Sequence, residues 1–171
     1  MKSAIERLMA LRVSDVMQRD VVRVPARSTM AEAAGMLLQH EISGAPVVDE
    51  LDRCVGVLSA IDFVKRECEL AGCSPHLLKP CQHESDVGLF DKEGVEKYMT
   101  PTVQSIAIDA PLIQAAGIMN SAHLHRLPVL DSRGRPVGMI TSLDIVAALS
   151  QAIEEQSQGR QHRIETAPTP R

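Results

Sequence analysis

The chain has 171 residues, 44% hydrophobic and 23% charged, enough for one compact domain or two small fused ones. A net charge of −4 argues against a nucleic-acid or anionic-membrane surface, and 2% aromatics leave few platforms on which bases could stack. With no Trp, one Tyr and two Phe, the core must be built from Val, Leu, Ile, Met and Ala.

Residues 1–12, M-K-S-A-I-E-R-L-M-A-L-R, carry charges through their apolar part and show no cleavage pattern. They read as a short amphipathic helix, with Ile5, Leu8, Met9 and Leu11 expected to pack on the rest of the protein or on a second subunit. No run of 18 apolar residues occurs, so no transmembrane helix is expected. Four cysteines without disulfide-scaffold density point to a reducing cytoplasm.

From Val13 onward the sequence repeats. Val13–Val64 aligns without a gap to Val95–Val146, offset by 82 residues, and 14 of the 52 positions are identical, where chance gives roughly 3 to 4. The matches include Met17 with Met99, Pro46 with Pro128, Gly56 with Gly138 and Asp62 with Asp144. Each copy predicts strand, helix, strand, strand, helix. In the first copy these are Val21–Val24, Thr29–His40, Ala45–Val48, Cys54–Leu58 and a helix from Ser59 to about Glu69. Asp49–Arg53 and its counterpart D-S-R-G-R, with Gly134, are turns. The fold expected is α/β (α+β): two β-α-β-β-α repeats packed sheet to sheet with pseudo-two-fold symmetry, with clefts where strand ends of the two copies meet.

Two features in each copy could carry chemistry. The first is G-V-L-S-A-I-D at 56–62, echoed by G-M-I-T-S-L-D at 138–144. A strand runs into a hydroxyl residue, followed three residues on by a carboxylate. As structure this is a helix N-cap, Ser59 or Thr141 with Asp62 or Asp144 completing a capping box. As chemistry, a helix N-terminus suits phosphate, and a carboxylate beside it can accept both hydroxyls of a ribose. The second is I-S-G-A-P-V-V-D at 42–49 and L-H-R-L-P-V-L-D at 124–131. Pro46 and Pro128 remove an N–H where the strand is expected to begin, at a sheet edge, and Gly44 lets a flat ring approach the main chain.

Taken together, these motifs resemble the CBS domain, named for cystathionine β-synthase, present as a tandem pair over roughly 13–64 and 95–150. The resemblance implies a regulatory module without an active site of its own. It would bind AMP, ADP, ATP or S-adenosylmethionine as regulatory ligand, dimerise, and act on a protein on another chain. It implies that Asp62 and Asp144 hold ribose hydroxyls and that Ser59 and Thr141 lie near the first phosphate. Val22, Ile42, Ser43, Gly44, Ala45 and Pro46, with Gln104, Leu124 and Pro128, would surround the bases. His125 and Arg126 look like basic residues that meet phosphates. Their partners Ser43 and Gly44 are neutral, so the cleft reached by His125 and Arg126 should favour the more phosphorylated ligand.

The expected organisation is an N-terminal helix at 1–12, repeats at 13–70 and 95–155, an insert at 71–94 and a disordered tail at 156–171, with the last helix fraying near Gln156. Cys68, Cys73, His76, Cys81 and His83 follow the pattern C-x4-C-x2-H-x4-C-x-H, which matches no standard zinc spacing. A metal or redox sensor through these residues and a ligand-free interaction scaffold are the alternatives. No nucleophile–base pair and no Gly-rich phosphate loop with an adjacent Lys is visible, which speaks against an enzyme.

Overall fold

A computed structural model describes residues 4–70, 93–101 and 104–165. In chain order the elements are α1 (Ala4–Ala10), α2 (Val13–Val16), β1 (Val24–Pro25), α3 (Met30–Gln39), β2 (Gly44–Val48), β3 (Cys54–Ser59) and α4 (Ala60–Leu70). A 3-10 turn at Val95–Lys97 follows, then β4 (Thr100–Pro101), β5 (Ile106–Ala107), α5 (Leu112–Ala122), β6 (Arg126–Leu130), β7 (Pro136–Thr141) and α6 (Ser142–Glu165). Two sheets form, one ordered β1-β2-β3-β4 and one ordered β5-β6-β7. The mixed α+β class and the strand-helix-strand-strand-helix order of each copy match the sequence reading.

The backbone divides into two compact units. One holds residues 4–19, 104–129 and 137–165; the other holds 20–70, 93–101 and 130–136. Each has its own aliphatic core. Val13, Met17, Leu112, Leu127, Val129 and Ile140 centre the first. Val24, Met30, Ala33, Val47, Leu58 and Val95 centre the second. Each large aliphatic buried in this way contributes about 1.5–3 kcal/mol.

Local chemistry sets the element ends. Thr29 caps α3 through a full capping box: the Glu32 amide donates to Thr29 Oγ1 at 3.2 Å and the Thr29 amide to Glu32 Oε2 at 2.8 Å. Met30, Ala33 and Leu37 fall on its buried face. Both strand-to-strand turns are tied by an aspartate. Asp49 Oδ1 accepts from the amides of Leu51 and Arg53, and Asp131 Oδ1 from those of Arg133 and Arg135. These bonds hold both carboxyls below the usual aspartate range. At the same place in the two turns stand Gly134, with φ +77°, and Asp52, with φ +62°.

Some boundaries differ from the sequence reading. The first strand begins at Val24 rather than Val21, because β2 offers it only Val47 and Val48 as parallel partners. Pro46 is the third residue of β2, not its entry point. It lies beyond the end of the β1 ladder, where no bond to β1 calls for its missing N–H. The last helix continues to Glu165, past the Gln156 at which composition ends it. Its extension, residues 157–165, holds two Gln, two Arg and one Glu, all good helix formers.

The units in space are offset from the repeats in sequence. The opening of the first copy, Val13–Gln18, belongs to the unit built on the second copy's sheet. The Val13 and Ser14 amides donate to the carbonyls of Ala110 and Ile108, and Gln18 exchanges two 2.9 Å bonds with Met139. The opening of the second copy does the reverse. The Val95 amide donates to Ser28 O, and β4 pairs antiparallel with Gly56 and Val57. Two glycines receive these arms. A Cβ at Gly138 would lie 2.7 Å from Met17 Sδ and 2.9 Å from Gln18 O. A Cβ at Gly56 would lie 2.5 Å from Met99 Sδ and 3.0 Å from Thr100 O. The repeat pairs Met17/Met99 and Gly56/Gly138 are thus two crosswise contacts.

Candidate functional site

Ser59 ends β3 and immediately precedes α4, and Asp62 lies in that helix's first turn. Asp62 Oδ2 accepts from the Ser59 amide and the Ser59 hydroxyl, both at 2.8 Å. Its Oδ1 accepts from Lys65 Nζ at 3.2 Å, and the residue is 1% exposed. The Ala60 amide donates to Ser43 O at 3.0 Å, which brings Ser43 and Gly44 against the same corner. Gly44, Ala45 and Pro46 pair with Ser59, Leu58 and Val57 and are buried within β2. Ile42 packs at the rim of the adjoining core.

Thr141 and Asp144 repeat this geometry at the start of α6. Asp144 Oδ2 accepts from the Thr141 amide and hydroxyl, both at 2.7 Å, and the Asp144 amide returns a 3.3 Å bond to Thr141 Oγ1. The Ser142 amide donates to His125 O at 3.0 Å, placing Leu124, His125 and Arg126 beside this corner. Two differences separate it from the first. Asp144 is half-buried, and its Oδ1 carries no hydrogen bond among the described residues. The position matching Lys65 is Ala147.

Asp144 also lines a cavity of about 430 Å³ enclosed by α1, α2 and α6. Leu11, Val16 and Ala148 give it apolar walls, and Arg7, Asp15, Gln151 and Glu155 its polar groups. That volume is within the range of small-molecule sites. Arg7 is ion-paired with Glu155. A second cavity, of about 440 Å³, lies between α5 and α6 and is lined in part by His123, His125, Ser142 and Val146.

The basic pair expected to meet phosphate lies away from the Asp144 cavity. His125 is exposed and faces the α5–α6 cavity. Arg126 is half-buried and lines neither cavity; burial lowers its guanidinium pKa from the ordinary value. Pro128 is buried in β6. Val22 is half-buried and Gln104 exposed, in the segments leading to β1 and β5, and no hydrogen bond among the described residues ties either to a corner. Cys68 is exposed on α4, while Cys73, His76, Cys81 and His83 lie outside the described residues. Among the described residues no group of three or more His, Cys, Asp or Glu could hold a metal ion, and no helix is long and apolar enough to cross a membrane.

A charged cluster escaped the sequence reading. Arg66, one turn past Asp62, is fully buried and bonds Glu93 at 3.2 Å and Glu67 at 2.8 Å. Glu93 also accepts from Lys97 at 2.6 Å and from the Tyr98 hydroxyl at 2.7 Å. Those two bonds, Lys97 first, hold its carboxyl down to about 2. The cluster fastens Glu93–Tyr98, the arm of the second copy, to α4 of the first. An arginine four residues after a capping aspartate was the available signal.

Comparison with known proteins bears on the chain as a whole. A family model described as CBS domain matches residues 13–69 and again 95–151. The chain is 29% identical over 141 residues to an uncharacterized 17.7 kDa protein of Acidianus ambivalens, spanning 82% of this chain and 74% of that one. It is 29% identical over 143 residues to homoserine O-acetyltransferase of Methanohalobium evestigatum, spanning 84% of this chain but 24% of the enzyme. The crystal structure of the CBS domain pair of protein MJ0100, in complex with 5′-methylthioadenosine and S-adenosyl-L-methionine, superposes with a TM-score of 0.65 at 26% identity, covering 80% of this chain and 98% of that one.

Proposed function

Because this chain belongs to the CBS domain family, we propose that it is a regulatory, non-catalytic module that binds an adenine-containing ligand and passes the bound state to a partner protein. The observation that carries this reading is the Thr141–Asp144 corner. It holds a half-buried carboxylate with one oxygen free of hydrogen bonds among the described residues, at the head of a helix, on the wall of a cavity large enough for a nucleoside. The adenosine ligands of the MJ0100 domain pair support the adenine class. In this reading Asp144 holds ribose hydroxyls, Thr141 fixes its carboxylate, and Leu11, Val16 and Ala148 flank the ligand, while Leu124, His125, Arg126 and Pro128 lie outside this cavity.

The Ser59–Asp62 corner is read as a structural cap, since Lys65 and burial already satisfy its carboxylate. The scaffold alternative therefore describes the first corner, and the sensor reading the second. A homodimer fits the apolar side chains that α5 and α6 leave exposed, among them Ile113, Leu143, Val146 and Ile153. A cytoplasmic location suits free cysteines and a regulatory role.

Thermal melts with AMP, ADP, ATP and S-adenosylmethionine test the proposal. A ligand at 100 times its Kd adds about 2.7 kcal/mol of stability. Asp144→Ala is expected to abolish that gain and Asp62→Ala to leave it. No stabilisation by any of the four overturns the reading.

A further inference from the structure

The geometry points to charge selection in the Asp144 cavity: it takes an adenosine ligand bearing a positive centre, such as a sulfonium or ammonium, and disfavours one bearing phosphate. This rests on the nucleotide reading above and narrows it. Among its described lining residues are three carboxylates, Asp15, Asp144 and Glu155, against a single cation, Arg7. Arg7 is already engaged by Glu155. A phosphate entering here would have to displace Glu155 from Arg7 and remain beside two further carboxylates. A cationic centre would meet those same carboxylates favourably, while the adenosine lay on the Leu11, Val16 and Ala148 side. The basic residues that the sequence assigned to phosphate do not line this cavity. Arg7 and Glu155 come from α1 and α6, and Arg7 precedes both repeats, so the selection is written partly outside the repeated motif.

Calorimetry on the full chain tests this with three probes: S-adenosylmethionine, S-adenosylhomocysteine, which lacks only the sulfonium charge and its methyl, and AMP. S-adenosylmethionine is expected to bind about fivefold more tightly than S-adenosylhomocysteine, the scale of a partly exposed ion pair, with AMP weakest. Glu155→Gln, which frees Arg7 and removes one negative charge, is expected to cut the preference for S-adenosylmethionine over AMP about fivefold. Gln151→Glu, an exposed change on the same wall, is expected to raise it. Equal affinity for S-adenosylmethionine and S-adenosylhomocysteine, or a preference that neither variant moves, overturns the charge inference. AMP binding most tightly through Asp144 overturns it and leaves the nucleotide reading standing. No binding by any probe overturns both.

Discussion

Asp62 and Asp144 occupy the same place in their repeats, and each gives one oxygen to the amide and hydroxyl of the residue three positions earlier. Their second oxygens have different fates. At Asp62 the ammonium of Lys65 closes the corner, and the residue is 1% exposed. At Asp144 an alanine stands where the lysine would be, and the corner opens on a cavity. One residue a single helical turn along thus separates a carboxylate spent on capping from one with capacity to spare. The motif alone does not distinguish a cap from a ligand site; in the proposed reading its i+3 neighbour does.

The largest expected effect tests that distinction. Asp62→Ala leaves two donors of half-buried Ser59 without their acceptor, while the exposed Lys65 ammonium turns to water, and should cost about 3 kcal/mol. Asp144→Ala removes a half-exposed cap and should cost about 1 kcal/mol. Urea denaturation of both variants measures the gap, and equal losses would break the comparison.

Next come the glycines that receive the exchanged arms. Gly56→Ala and Gly138→Ala each set a Cβ within 3.0 Å of a methionine sulfur and of a backbone oxygen, which cannot rotate away. Each should cost about 1–3 kcal/mol. Similar losses from the two would show that the arms fasten equally although the corners differ; thermal melts read both.

The smallest effect is in acid. Glu93 is held at about 2 in the folded protein against an ordinary 4.5, so its stabilisation is complete above that ordinary value. It is lost as pH falls from about 4.5 toward about 2. Glu93→Gln should flatten this part of the stability profile. An unchanged acid profile in circular-dichroism melts would show that the cluster does not fasten the arm.

Much of the architecture was readable in the sequence, because an 82-residue period and aliphatic patterning are local signals that two copies reinforce. Apolar residues at helical spacing over Thr29–His40 located α3, and the hydroxyl-x-x-carboxylate spacing located both corners. Other features depend on which surfaces meet. Aligning Met17 with Met99 and Gly56 with Gly138 shows that they correspond, not that Met17 touches Gly138. The grouping of Arg7, Asp15 and Glu155 around Asp144 joins three separate helices, so spacing along the chain carries no trace of it. The buried Arg66 was hidden for the same reason: its partner Glu93 is 27 residues away.

The crosswise arms bear on how such a protein could have arisen. A gene for one copy alone would make a chain whose sheet lacks the segment that finishes it, since its own arm reaches for another sheet. Two identical chains could complete each other by trading arms. Fusing them end to end would turn an agreement between molecules into one within a single molecule, after which each half was free to drift, as the lysine at one corner and the alanine at the other record.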